Sequence, residues 1–93
     1  MFKSYSDSLT KLKEAIPSNY NNKDELIRII NHCIDDMAYK PPELLSNYFT
    51  RYCNLIIPLL PTDRINNKWV EEPWNNIHKV ARDNIKYYKE NIS

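Results

Sequence analysis

An all-α fold follows from three features of the sequence. The 93 residues contain no glycine and six prolines. Apolar residues recur every three to four positions in several stretches. Those stretches are separated by short segments rich in Pro and Asn. Glycine supplies positive φ without steric cost, so tight hairpins and phosphate-cradling loops depend on it. A chain without it joins helices more readily than strands. The expected architecture is an antiparallel helical bundle of four main helices, with a short extra helical turn before the last.

The first helix is read over Phe2 to Ile16. Phe2, Tyr5, Leu9, Leu12 and Ile16 fall on one narrow stripe, which predicts a peripheral helix touching a single groove. Pro17 ends it. The second begins at Asn22, where Asn22 and Glu25 have the spacing of a capping box. Leu26, Ile27, Ile30, Cys33, Ile34 and Met37 share its apolar face, and Pro41 stops it near Lys40.

Pro42 suits the first position of a third helix. Its apolar face, nearly half the circumference, holds Leu44, Leu45, Tyr48, Phe49, Tyr52, Leu55 and Ile56, which predicts the most buried helix of the four. Pro58 ends or kinks it. Between Leu59 and Glu72 the pattern is weakest. Thr62 is placed as the cap of a short helix containing Ile65 and Trp69. Pro73 opens the last helix, whose apolar face is Trp74, Ile77, Ala81, Ile85, Tyr88 and Ile92.

A single domain of this length buries about 65% of its unfolded surface, enough for one modest core. Lys plus Arg number 13 against 12 Asp plus Glu, giving a net charge of +1 with both signs dispersed. Such a balance creates no strong field toward nucleic acid or anionic lipid. The longest apolar run, Leu55 to Leu60, is far too short for a membrane span and is interrupted by Pro58. The first residues lack the apolar core of a signal peptide, so the chain is expected in the cytoplasm with Cys33 and Cys53 reduced.

The sequence carries no nucleotide-binding or catalytic motif built on glycine. His32, Cys33, Cys53 and His78 lack the paired spacing of a structural zinc site, so no metal or other cofactor is expected. Neighbouring helical residues point about 100° apart. His32 therefore does not serve Cys33 as a base, and neither Asp35–Asp36 nor Glu71–Glu72 makes an acid–base pair. No enzymatic activity is expected.

What remains is surface. Lys79, Arg82, Lys86 and Lys89 form a basic stripe on the last helix. A solvated face accounts for it, with phosphate binding as the alternative. On the second helix, Arg28, His32, Asp35 and Tyr39 point away from the core face, Asp36 lies beside them, and Glu43 follows across the proline turn. Two Asp residues near a helix C-terminus oppose its dipole at about 0.3–1 kcal/mol each. Breaking a local rule in this way marks a candidate functional site. An exposed Tyr among acids has the composition of a binding hot spot. Trp69, Glu71 and Glu72 form a second acidic–aromatic cluster beside Trp74, with one Trp expected in the core. The expected partner-binding residues are therefore His32, Asp35, Asp36, Tyr39, Glu43, Trp69, Glu71 and Glu72.

In size and layout the chain resembles the small helical immunity proteins of bacterial toxin systems, of the colicin and contact-dependent growth inhibition types. That resemblance implies a protein partner, a toxin domain such as a nuclease, bound inside the producing cell by a monomer or weak dimer. Nucleic acid is not the expected partner. The alternatives are a nucleic-acid-binding protein using the basic stripe, or a phage-type inhibitor of a host defence protein.

Overall fold

The computed structural model describes residues 2–92, with side chains described over residues 2–83. Among the described residues every regular element is helical: α1 (Phe2–Ala15), α2 (Lys23–Met37), α3 (Leu45–Ile56) and α4 (Glu71–Ile92), with single 3-10 turns at Pro42–Leu44, Ile57–Leu59 and Lys68–Val70. In space α1 touches α2 and α4, and α3 touches the same two helices. One core lies between the four.

The expected boundaries of α1 and α2 are close to those found. Ile16 and Pro17 close α1, and α2 ends at Met37 with Pro41 in extended backbone beyond it. The expected capping box does not form. Asn22 is the N-cap but makes no side-chain cap bond, and Glu25 accepts from Arg28 one turn along instead of reaching back to it. The 3-10 turn at Pro42 delays α3 to Leu45. α4 starts at Glu71, two residues before the expected Pro73. The first N–H groups of a helix have no internal acceptor, so a proline in the first turn costs no hydrogen bond.

α1 is not peripheral. Tyr5, Leu9 and Leu12 are fully buried, and the Tyr5 ring lies 4.3 Å from that of Phe49 on α3. Ser8 widens the stripe. Its hydroxyl is buried and donates to the Tyr5 carbonyl at 2.7 Å, so a small polar residue sits in the core with its hydrogen bond made locally. Phe2, expected in the same stripe, is exposed.

α3 is narrower than its sequence suggests. Leu45, Phe49, Tyr52 and Ile56 are buried, Tyr48 is half-buried, and Leu44 and Leu55 are exposed. It is therefore no more buried than its neighbours. α2 buries Leu26, Ile30, Cys33 and Met37, with Ile27 and Ile34 on the flanks, as expected. On α4 Trp74 and Ile77 are buried and Ala81 packs at the edge. Ile85, Tyr88 and Ile92 lie outside the residues whose side chains are described, as do Lys86 and Lys89 of the basic stripe.

The expected helix at Thr62 is absent. Asp63 accepts hydrogen bonds from the backbone N–H groups of Ile65 and Asn66, at 3.1 and 3.2 Å, and from the Asn66 amide at 2.6 Å. A side chain that satisfies the local backbone competes with the helix ladder. Ile65 is left exposed, and the short turn forms later at Lys68–Val70, holding Trp69. Tyr20 ties this region together by donating to the Leu59 carbonyl at 2.6 Å. Among the described residues no helix is long and apolar enough to cross a membrane.

Candidate functional site

The last turn of α2 and the proline turn after it build one corner of the molecule. Adjacent helical positions diverge by about 100°, and here that divergence separates two aspartates. Asp35 is exposed, with His32 one turn earlier and Tyr39 one turn later. Tyr39 is 88% exposed, the highest value among the large hydrophobic side chains described. Glu43 and Leu44 follow on the 3-10 turn, both exposed. Beside them is a hollow of about 470 Å³ lined by Phe2, Met37, Ala38, Lys40, Pro42 and Leu45. A projecting phenol, an apolar hollow and two outward carboxylates thus meet at one end of α1.

Asp36 points the other way, into the seam between α2 and α3. The Tyr52 hydroxyl donates to its Oδ2, and Lys40 Nζ stands 3.8 Å from the same oxygen. Lys40 Nζ also lies 4.5 Å from the centre of the Tyr48 ring, and Arg51 Cζ lies 5.3 Å from it. Burial, together with the hydrogen bond to Asp36 and its negative charge, pushes the Tyr52 phenol far above its usual range. Both thiols lie along this seam. Desolvation, then the Asp36 charge, lifts Cys33 to about 11, and desolvation lifts Cys53 to about 12. Thiols held in the neutral form are poor nucleophiles and poor metal ligands. Arg28, on the outward stripe, is turned back toward Glu25 on its own helix.

The second expected cluster sits elsewhere. Trp74 is 9% exposed and fills the core, with its ring edge-on to His78 at 5.4 Å. Trp69 is half-buried; its ring meets Tyr20 at 5.2 Å and its Nε1–H donates to Asn67 Oδ1 at 3.4 Å. Glu71 and Glu72 are exposed in the first turn of α4, where the helix dipole favours them. Trp69 and Glu72 open onto a groove that also contains Ala15, at the far end of α1 from Phe2. Phe2 and Ala15 are the two ends of α1, about 20 Å apart along the helix. The eight expected partner-binding residues therefore form two patches, with Asp36 turned inward from the first.

Several features escaped the sequence reading. Leu44 and Phe2, expected on apolar core faces, are exposed. The Asp36–Tyr52 bond joins residues 16 apart and leaves no local spacing to read. Lys11 from α1 and Lys68 from the 3-10 turn join Lys79 and Arg82 of α4 around Trp69. Among the described residues no group of three or more His, Cys, Asp or Glu side chains gathers in a metal-binding arrangement. No family model, curated protein or solved structure matches this chain.

Proposed function

We propose that this chain is a small cytoplasmic protein that binds and neutralises a protein partner, as an immunity protein does its cognate bacterial toxin. The observation that carries this reading is Tyr39, 88% exposed beside the hollow lined by Phe2, Met37 and Leu45. Leaving a large aromatic in water beside an apolar depression forgoes burial that a partner supplies. Tyr is enriched among the residues that dominate binding energy, because it gives much contact area for few rotors. Asp35 and Glu43 flank it and give orientation toward a basic surface such as a nuclease active site. The reading includes an antiparallel arrangement of the four helices and a monomer or weak dimer that presents this corner.

The test is functional rescue. The polypeptide encoded directly upstream is expressed in a surrogate host, alone and with this chain. The reading expects growth arrest relieved by the wild-type chain and copurification of the two proteins. The double substitution Asp35→Lys with Tyr39→Ala should abolish both while shifting the melting temperature by no more than about 4 °C, since surface changes of this kind stay near ±0.5 kcal/mol. Rescue by the double variant, or neither rescue nor copurification by the wild type, refutes the reading.

A further inference from the structure

A groove of about 780 Å³ runs between α1 and α4 at the end opposite the Tyr39 corner. Its size falls within the usual range for ligand sites, about 300–1,000 Å³. Lys11 lies on α1, Lys68 on the short turn, and Lys79 and Arg82 on α4, and all four line it. Glu72 is the one acid on its walls. The whole chain carries 13 cations and 12 anions, so four against one in a single groove is a local concentration of positive charge. Among the described residues none of the four has an acidic partner within ion-pair distance. Trp69 and Pro73 form an apolar wall, and Asn75 and Asn76 add amide donors and acceptors. From Glu72 to Arg82 the groove follows α4 for about 15 Å.

We propose that this groove binds a short segment of single-stranded nucleic acid, with Trp69 as the surface on which a base stacks and Lys11, Lys68, Lys79 and Arg82 on the phosphates. A basic channel with an aromatic wall is the arrangement that holds single strands without strong sequence preference. Three of the four cations are Lys, point charges that accept phosphate from many directions. An acidic peptide would meet the same charges but has no ring to place on Trp69, so it fits less well. Asn75 and Asn76 have the paired donor and acceptor that suit base edges, and Glu72 accepts from an exocyclic amino group. A duplex keeps its bases stacked away from Trp69. Within the sequence Lys79 and Arg82 looked like a solvated face. The fold changes that by adding Lys11, Lys68 and an indole from other elements. This inference does not depend on the Tyr39 corner.

A fluorescein-labelled ten-residue oligocytidylate is titrated with the intact protein, following its anisotropy between 50 and 200 mM salt. Neutralising four phosphates on a single strand gives a slope of log K against log salt of about −2.8, so affinity falls about 50-fold over that range. Lys79→Ala, at an exposed position, should reduce the slope to about −2.1 and the loss to about 18-fold. Trp69→Phe keeps a stacking ring and should retain binding, whereas Trp69→Ala should weaken it by about 5-fold to over 100-fold. Absence of a rise in anisotropy at 50 mM salt overturns the proposal. So does an unchanged slope in Lys79→Ala. Binding of an oligoglutamate peptide or of a duplex as tight as that of the single strand also overturns it.

Discussion

Replacing Tyr52 by Phe removes one oxygen from a side chain that is 5% exposed and donates to Asp36 across the α2–α3 seam. A hydrogen bond to a charged group contributes about 1.5–3 kcal/mol. The Asp36 side chain is 36% exposed, so water recovers part of its solvation, and the lower end applies. Tyr52→Phe should therefore cost about 1.5 kcal/mol, or about 6–12 °C in melting temperature for a domain this small. Asp36→Ala leaves the phenol buried without its acceptor, a penalty of about 1–3 kcal/mol. It also loses the ion pair with Lys40, but removes an acid from the unfavourable end of a helix dipole. Those last two effects are each below about 1 kcal/mol and oppose one another. The net cost should be about 2 kcal/mol. The double variant should cost little more than Asp36→Ala alone, which makes the coupling energy about 1–2 kcal/mol. Urea unfolding of the four proteins at pH 7 measures it. Additive costs, with coupling under about 0.3 kcal/mol, would refute the assignment of Asp36 to the seam and return it to the outer surface.

Two further outcomes concern the core. Phe49→Ala should destabilise by about 3–5 kcal/mol, because Phe49 is 1% exposed and its ring meets Tyr5; Tyr48→Ala, which removes a half-buried ring and its Lys40 and Arg51 contacts, should cost under about 2 kcal/mol. Equal losses in chemical denaturation would show that α3 is turned differently from the orientation described. Alkaline conditions should unfold the protein through the seam. The thiols of Cys33 and Cys53 are raised from 9.0 to about 11 and about 12, and Tyr52 is raised as well. For groups raised in the folded state, the stabilisation is complete below the ordinary value and is lost as pH climbs through the folded one. Stability should be level up to about pH 9 and fall beyond it, with a shallower fall in Cys33→Ala. A flat profile to pH 11 in the wild type contradicts the burial of these thiols.

Helix existence was readable because the 3.6-residue period of Tyr5, Leu9, Leu12 and Ile16, or of Leu26, Ile30, Cys33 and Met37, survives in the buried faces. Face width was not. Leu44 and Leu55 extend the apolar arc of α3, but only a neighbouring helix decides how much of an arc is covered. Ser8 shows the reverse error, since its polar label hid a residue small enough for close packing and able to satisfy itself on Tyr5. Around residue 62 a capping Thr ahead of Ile65 and Trp69 predicts a short helix, but the Asp63 carboxylate, held low by its bonds from Asn66, organises a loop instead. Of the candidate surface, the exposure of Tyr39 was legible from its place opposite the core stripe. The inward turn of Asp36 was not, because it depends on how α2 and α3 are set against each other.

That inward turn alters the case for the Tyr39 corner. Two acids at the end of α2 looked like a cost to stability that only function explains. Asp36 now has a structural reason, since Tyr52 and Lys40 offset what the helix dipole takes away. Asp35 has no such compensation among the bonds described and keeps the functional weight, together with Glu43. Two outward carboxylates make a weaker field than three, and Lys40 lies within the same hollow. Electrostatic steering of a basic partner is correspondingly modest. The apolar elements then matter more: Tyr39 as the projecting anchor, the exposed Leu44 on the turn that follows, and the hollow lined by Phe2, Met37 and Leu45. An interface of that kind holds its partner mainly by slow dissociation of a buried ring rather than by fast charged encounter. The partner it suits has a recess for Tyr39 and an apolar projection for the hollow, with a basic rim as a secondary feature.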